Sequence, residues 1–146
     1  MRHRFRLLLV GCLLLLLPGE GRAQSYAQQV WDQLQVHYKA VAKNSTDWVL
    51  QNYVMGSLRV DGTDGWTFPF RADREYIITG ACDNDCANVD LVLKDPDGKV
   101  VAEDAKADDT PVLVLKGARD GKYTIEVTIK SCKASPCYFG FGVFVK

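Results

Sequence analysis

The sequence predicts an all-β fold, a β-sandwich of about eight short strands preceded by a single amphipathic helix. Three observations carry this. From Asn52 onward, apolar and polar residues alternate with a period of two. Clusters of Asp, Gly, Pro and Asn punctuate that alternation at intervals of about eight to twelve residues, the spacing of strands joined by tight turns. Before Asn52, the stretch Ser25 to Ala42 has a helical period instead.

In the helix, Tyr26, Val30, Trp31, Leu34, His37 or Tyr38, and Val41 recur at three- and four-residue steps, which places them on one face. Ser25 is the expected N-cap. Asn44-Ser45-Thr46 closes the segment with side chains that compete for backbone hydrogen bonds. Such a helix can lie across its own sheet or dock on another chain, and the first is the expected arrangement.

The strands follow in order. Val54–Val60 and Trp66–Phe70 come first, separated by Asp61-Gly62-Thr63-Asp64-Gly65. Arg74–Ala81, Val89–Lys94 and Lys99–Glu103 come next. Asp95-Pro96-Asp97-Gly98 joins the last two, with Pro at the second and Gly at the fourth position of a type I turn. Val112–Lys116 precedes a turn at Arg119-Asp120-Gly121. Tyr123, Ile125, Val127 and Ile129 then alternate with Thr124, Glu126, Thr128 and Lys130, the clearest half-buried strand in the chain. In the last strand Phe139, Phe141, Val143 and Val145 alternate with Gly140 and Gly142, glycines that let another part of the chain approach closely.

Residues 1–23 read as a cleavable secretory signal. Arg2, Arg4 and Arg6 form a basic start, Leu7–Leu17 an apolar run, and Gly21-Arg22-Ala23 a small-residue cleavage site. The run falls short of the roughly 20 residues needed to span a bilayer, so no membrane span is expected in the mature chain. Cys12 sits inside the apolar run, with five leucines after it, rather than at its end. Lipid anchoring through Cys12 is therefore not the expected reading. Cleavage leaves 123 of the 146 residues, enough for one ordinary domain. The leader carries four of the 18 basic and one of the 18 acidic residues, so the mature chain has a net charge of −3. That mild acidity excludes nucleic acid as the expected partner.

Four cysteines remain: Cys82, Cys86, Cys132 and Cys137. An even count in an exported chain predicts two disulfides, with all three connectivities open. Zinc is the competing reading, weakened by C-x3-C and C-x4-C spacings in an exported setting.

Three stretches together resemble one family. They are Tyr76-Ile77-Ile78-Thr79-Gly80-Ala81-Cys82-Asp83, Val89-Asp90-Leu91-Val92-Leu93 with Asp95-Pro96-Asp97-Gly98, and Asp120-Gly121-Lys122-Tyr123-Thr124-Ile125-Glu126-Val127. In this order they are similar to the bacterial pre-peptidase C-terminal domain, and the cysteine pairs resemble a stand-alone exported subset of it. The likeness covers about residues 52–146 and leaves the helix unexplained. It implies a jelly-roll-like β-sandwich acting as a binding or targeting module, with calcium or an extracellular polymer among the ligands. The chain divides accordingly into a signal (1–23), a helical segment (24–46) and the sandwich (47–146).

The candidate cofactor is calcium. Asp83, Asp85 and Asp90 lie close together with Asn84 and Asn88 among them, and Ca2+ takes six to eight oxygen ligands of this kind. The register does not fit an EF-hand, and turn-forming acids explain the same residues. Asp104, Asp108 and Asp109 form a second acidic group. Trp48, Tyr53 and Trp66 are the candidate binding surface, with Phe68 and Phe70 beside them; exposed rings suit a polysaccharide or protein. Catalysis finds little support, because His37 is the one histidine of the mature chain and no nucleophile accompanies it in sequence. The expected function is an exported, non-catalytic module binding an extracellular protein or polysaccharide. A partner-assembly protein docking through its helix is the alternative, and a small hydrolase or peptidase inhibitor the third reading.

Overall fold

The computed structural model describes residues 20–44 and 47–146, with side chains from Ser25 onward except Asn44. The first 19 residues of the expected leader, Cys12 among them, and Ser45 and Thr46 of the stretch expected to close the helix lie outside the described residues. One helix, α1 (Glu20–Asn44), precedes eight strands: β1 (Val49–Leu58), β2 (Thr63–Phe70), β3 (Tyr76–Cys82), β4 (Cys86–Lys94), β5 (Val100–Asp104), β6 (Val112–Leu115), β7 (Gly121–Cys132) and β8 (Cys137–Val145). They form two four-stranded sheets, in the orders β1-β8-β3-β6 and β2-β7-β4-β5. Every pairing is antiparallel. Two interlocked sheets in this order are a jelly roll, and the expected all-β sandwich with one helix is the observed fold.

Alternation decides which side chains face the space between the sheets. On β7, Tyr123, Ile125, Val127 and Ile129 are buried, while Thr124, Glu126 and Thr128 stay partly in solvent. On β8, Phe139, Phe141 and Val143 enter the same core. Phe70 stacks on Tyr76 with ring centroids 3.8 Å apart and on Tyr123 at 4.8 Å. The Asp95–Gly98 turn forms as its residues require. Asp95 Oδ1 accepts from the N–H groups of Asp97 (2.9 Å) and Lys99 (3.0 Å), and Gly98 takes the left-handed conformation at φ 81°.

Helix α1 extends further than its apolar period. It starts at Glu20, so Ser25 lies inside the helix and does not cap it. Arg22, Ala23 and Gln24 are good helix formers that continue the helix backward. Cleavage after Ala23 would leave Gln24 and Ser25 in the first turn and remove none of the contacts described next.

The helix lies on the outer face of the β1-β8-β3-β6 sheet. Val30 and Leu34 are buried there against Ala81, with Met55 and Tyr138 beside them. A Cβ built on Gly140 would stand 2.9 Å from both the Leu34 Cδ1 and the Val30 Cγ1 atoms, so the bare backbone is what lets the helix settle. Tyr26 stacks on Tyr138 (5.8 Å), Tyr38 on Phe144 (5.9 Å), and Trp31 tilts against Tyr53 (5.3 Å). Gln33 Nε2 donates to the Cys82 carbonyl at 2.8 Å. The buried stripe of the helix, Val30 and Leu34, thus rests on its own domain, the arrangement expected first.

Gly140→Val is expected to lift the helix off the sheet at a cost of about 1–3 kcal/mol. Amide exchange across residues 26–41 should accelerate while that of β7 stays slow. Unchanged exchange in the helix would contradict this docking.

Candidate functional site

The outer face of the β1-β8-β3-β6 sheet is only partly covered. Strand β6 reads Val-Leu-Val-Leu, with Leu113 turned into the core and Val112 and Val114 turned out, 46% and 52% exposed. Ile77 and Thr79 of β3 share that outer face, because Ile77 pairs with Val114 and Thr79 with Val112. The last turns of α1 bring His37, Ala40 and Val41 to the opposite side. Between them lies an open groove of about 430 Å³, with Thr110 also in its lining.

The groove is mostly aliphatic, with three polar exceptions, His37, Thr79 and Thr110. Thr79 is 4% exposed and its hydroxyl has no hydrogen-bond partner. His37 Nδ1 is likewise buried and unpaired. Burial lowers the His37 pKa from its ordinary value, opposed in part by the nearby Asp109 carboxylate. That burial favours the neutral ring, and neither the His37 Nδ1 atom nor the Thr79 hydroxyl is open to solvent. Because the Thr79 hydroxyl bonds to nothing, His37 and Thr79 do not form a nucleophile–base contact. A second groove of about 220 Å³ lies by Ala27, Met55 and Tyr138, on the N-terminal half of the helix.

The cysteines pair locally, Cys82 with Cys86 and Cys132 with Cys137. Each bridge spans a crossover between the sheets: β3 to β4, and β7 to β8. Asp83 ties the two crossovers together. Its Oδ1 accepts from the N–H groups of Asp85 (3.2 Å) and Cys86 (3.1 Å), and its Oδ2 from the Tyr138 N–H at 2.7 Å. The side chain is 1% exposed, and its carboxylate serves as an acceptor for backbone donors.

Asp85 lies in the same loop, whereas Asp90 projects from the outer face of the other sheet, between inward-facing Val89 and Leu91. Burial raises the Asp90 pKa; Lys130 opposes this, and Glu103 and Asp104 add to it. Among the described residues, no three His, Cys, Asp or Glu side chains gather as a metal site. In the second acidic group, burial pushes Asp104 up. Hydrogen bonds from the Val112 N–H (3.0 Å) and the Lys106 ammonium (3.1 Å) outweigh that and hold its pKa below the ordinary value.

The candidate aromatic surface is divided. Trp66 faces inward, 5.6 Å from the rings of both Phe139 and Phe141. Tyr53 stands on the opposite, outer side of the other sheet against Trp31. Trp48 lies under the Lys146 ammonium, 5.3 Å away. The alternation that makes Trp66 an inward residue is set by strand register, which composition does not reveal. The groove that sequence reasoning missed did have a signal: β6 is apolar on both faces, so one face needs a cover other than the core.

No family model and no curated protein sequence matches the chain. Among solved structures it is similar to PliG of Aeromonas hydrophila, a periplasmic inhibitor of g-type lysozyme. That match has 16% identity, a TM-score of 0.46, and covers 65% of this chain and 85% of the other. It is also similar to the pre-peptidase C-terminal domain of a Bacillus anthracis collagenase, at 20% identity and a TM-score of 0.47, covering 64% of this chain and 89% of the other. Both likenesses are too distant to bring a partner or an activity to this chain.

Proposed function

We propose that this protein is an exported, non-catalytic binding module that holds an aliphatic stretch of a protein partner in the groove between α1 and β6. The observation that carries this reading is the aliphatic wall of Ile77 and Val112 facing Val41 of the helix, with exposed Val114 beyond it on the same strand. Aliphatic walls desolvate aliphatic side chains. A polysaccharide would call for free aromatic faces, but Trp31, Tyr38 and Tyr53 are engaged with rings of the chain itself. Two disulfides are consistent with an exported protein, and the signal pattern of residues 1–23 supports the same compartment.

Panning a displayed random-peptide library on the purified domain tests this. Selected peptides should be rich in aliphatic residues, and Val41→Asp should weaken their binding by about tenfold or more, a loss of about 1.4 kcal/mol. The melting temperature should barely move, because Val41 is half-exposed on the rim. Peptides that bind Val41→Asp and Val112→Asp as well as wild type would remove the groove from the function. Selective capture on a glycan array instead would turn the assignment to polysaccharide.

A further inference from the structure

Strand β6 is the edge of its sheet, and its backbone has a defined open side. Gly80 N–H donates to the Pro111 carbonyl at 2.8 Å, so those two residues form a hydrogen-bonded pair of the β3–β6 ladder. Antiparallel pairs alternate. Leu113 therefore directs its N–H and C=O at β3, whereas Val112 and Val114 direct theirs away. The Val112 N–H confirms the alternation, because it turns outward to the Asp104 carboxylate at 3.0 Å. The open side thus presents the Val112 C=O, the Val114 N–H and C=O, and the Lys116 N–H.

We propose that this edge pairs with the same edge of a second copy, antiparallel, about a two-fold axis at Val114. That register joins Val114 to Val114 through two hydrogen bonds. It joins each Lys116 N–H to the Val112 carbonyl of the other copy through two more. The Val112 N–H stays with Asp104, so no bond seen in the single chain is given up. The β-branched Val114 side chain meets its counterpart on the outer face, and Val112 lies opposite Lys116 of the other copy, the kind of cross-strand contact that stabilises sheets.

Charge selects the direction. Asp108 and Asp109 precede β6 and Lys116 follows it. Antiparallel pairing brings each Lys116 toward the acidic end of the other copy, while parallel pairing would set acid beside acid. Although β6 is short and its Val112 N–H is held by Asp104, the strand itself has no charged residue, no proline and no bulge in its ladder. The result is one continuous eight-stranded sheet with the two helices on the same face. Its contact is small, which makes the dimer a reversible one.

This inference does not depend on what occupies the groove. Sedimentation of the purified chain over a wide concentration range should show the mass doubling at high concentration. Val114→Pro removes the central outward N–H without touching the ladder to β3, and should leave a monomer at every concentration. Lys116→Asp should weaken the dimer by about threefold or more, and adding Asp109→Lys should restore it. If the proline variant fails to fold, the charge pair decides alone. A wild-type chain that stays monomeric throughout overturns the proposal. So does a dimer that survives both Val114→Pro and Lys116→Asp, or a charge swap that restores nothing.

Discussion

Asp83→Ala is expected to lower the unfolding free energy by about 3–4 kcal/mol, measured by denaturant titration with both disulfides intact. The carboxylate holds the Tyr138 N–H and the Asp85 N–H, and removing it strands those donors in a closed loop. The Cys86 N–H keeps a partner, the Asp83 carbonyl at 3.0 Å, which moderates the loss. Asp83→Asn retains one carbonyl acceptor, so it should fall between wild type and alanine. Calcium separates the two roles open to this residue. A wild-type midpoint that rises with added Ca2+, with the rise lost in Asp83→Asn, assigns the carboxylate to the ion. A destabilised Asp83→Ala beside a wild-type midpoint indifferent to Ca2+ assigns it to the crossover loops.

Trp66→Ala is expected to cost about 3 kcal/mol in stability and to leave groove binding intact in the protein that remains folded. Its half-buried indole packs against Phe139 and Phe141 at the margin of the core, and the sheets close over the resulting void only with strain. Tyr53→Ala is the contrasting variant. Tyr53 is 56% exposed and meets the helix only at its rim through Trp31, so about 1 kcal/mol or less is expected. Equal stability of the two variants would show that Trp66 lies outside the core after all.

Much of this architecture was legible in the chain itself. The alternation of Tyr123, Ile125, Val127 and Ile129 specified both a strand and its buried face, since successive side chains of a strand point to opposite sides. Asp95-Pro96-Asp97-Gly98 specified a turn by the chemistry of its own backbone. Gly140 announced that something would approach β8, and the something proved to be Val30 and Leu34 of the helix. These are local properties, set within a few residues of where they act.

The site was not local, and so was not legible. Asp83 read as a candidate calcium ligand because acids in a loop favour cations and turns alike; the sequence could not show that the Tyr138 N–H, 55 residues away, also reaches its second oxygen. Trp48, Tyr53 and Trp66 read as one surface because they are neighbours in sequence. Strands β1 and β2 belong to different sheets, which sends Tyr53 outward and Trp66 into the core. The groove needs residues from α1, β3 and β6 at once. The sequence by itself determined that there are strands and one helix, the Asp95–Gly98 turn and the even cysteine count, because period and turn chemistry are written in short stretches; it missed that Thr63, Asp64 and Gly65 belong to a strand. Only the tertiary structure decided where the helix rests and which apolar face it leaves open, because those depend on the packing of strands far apart in the chain.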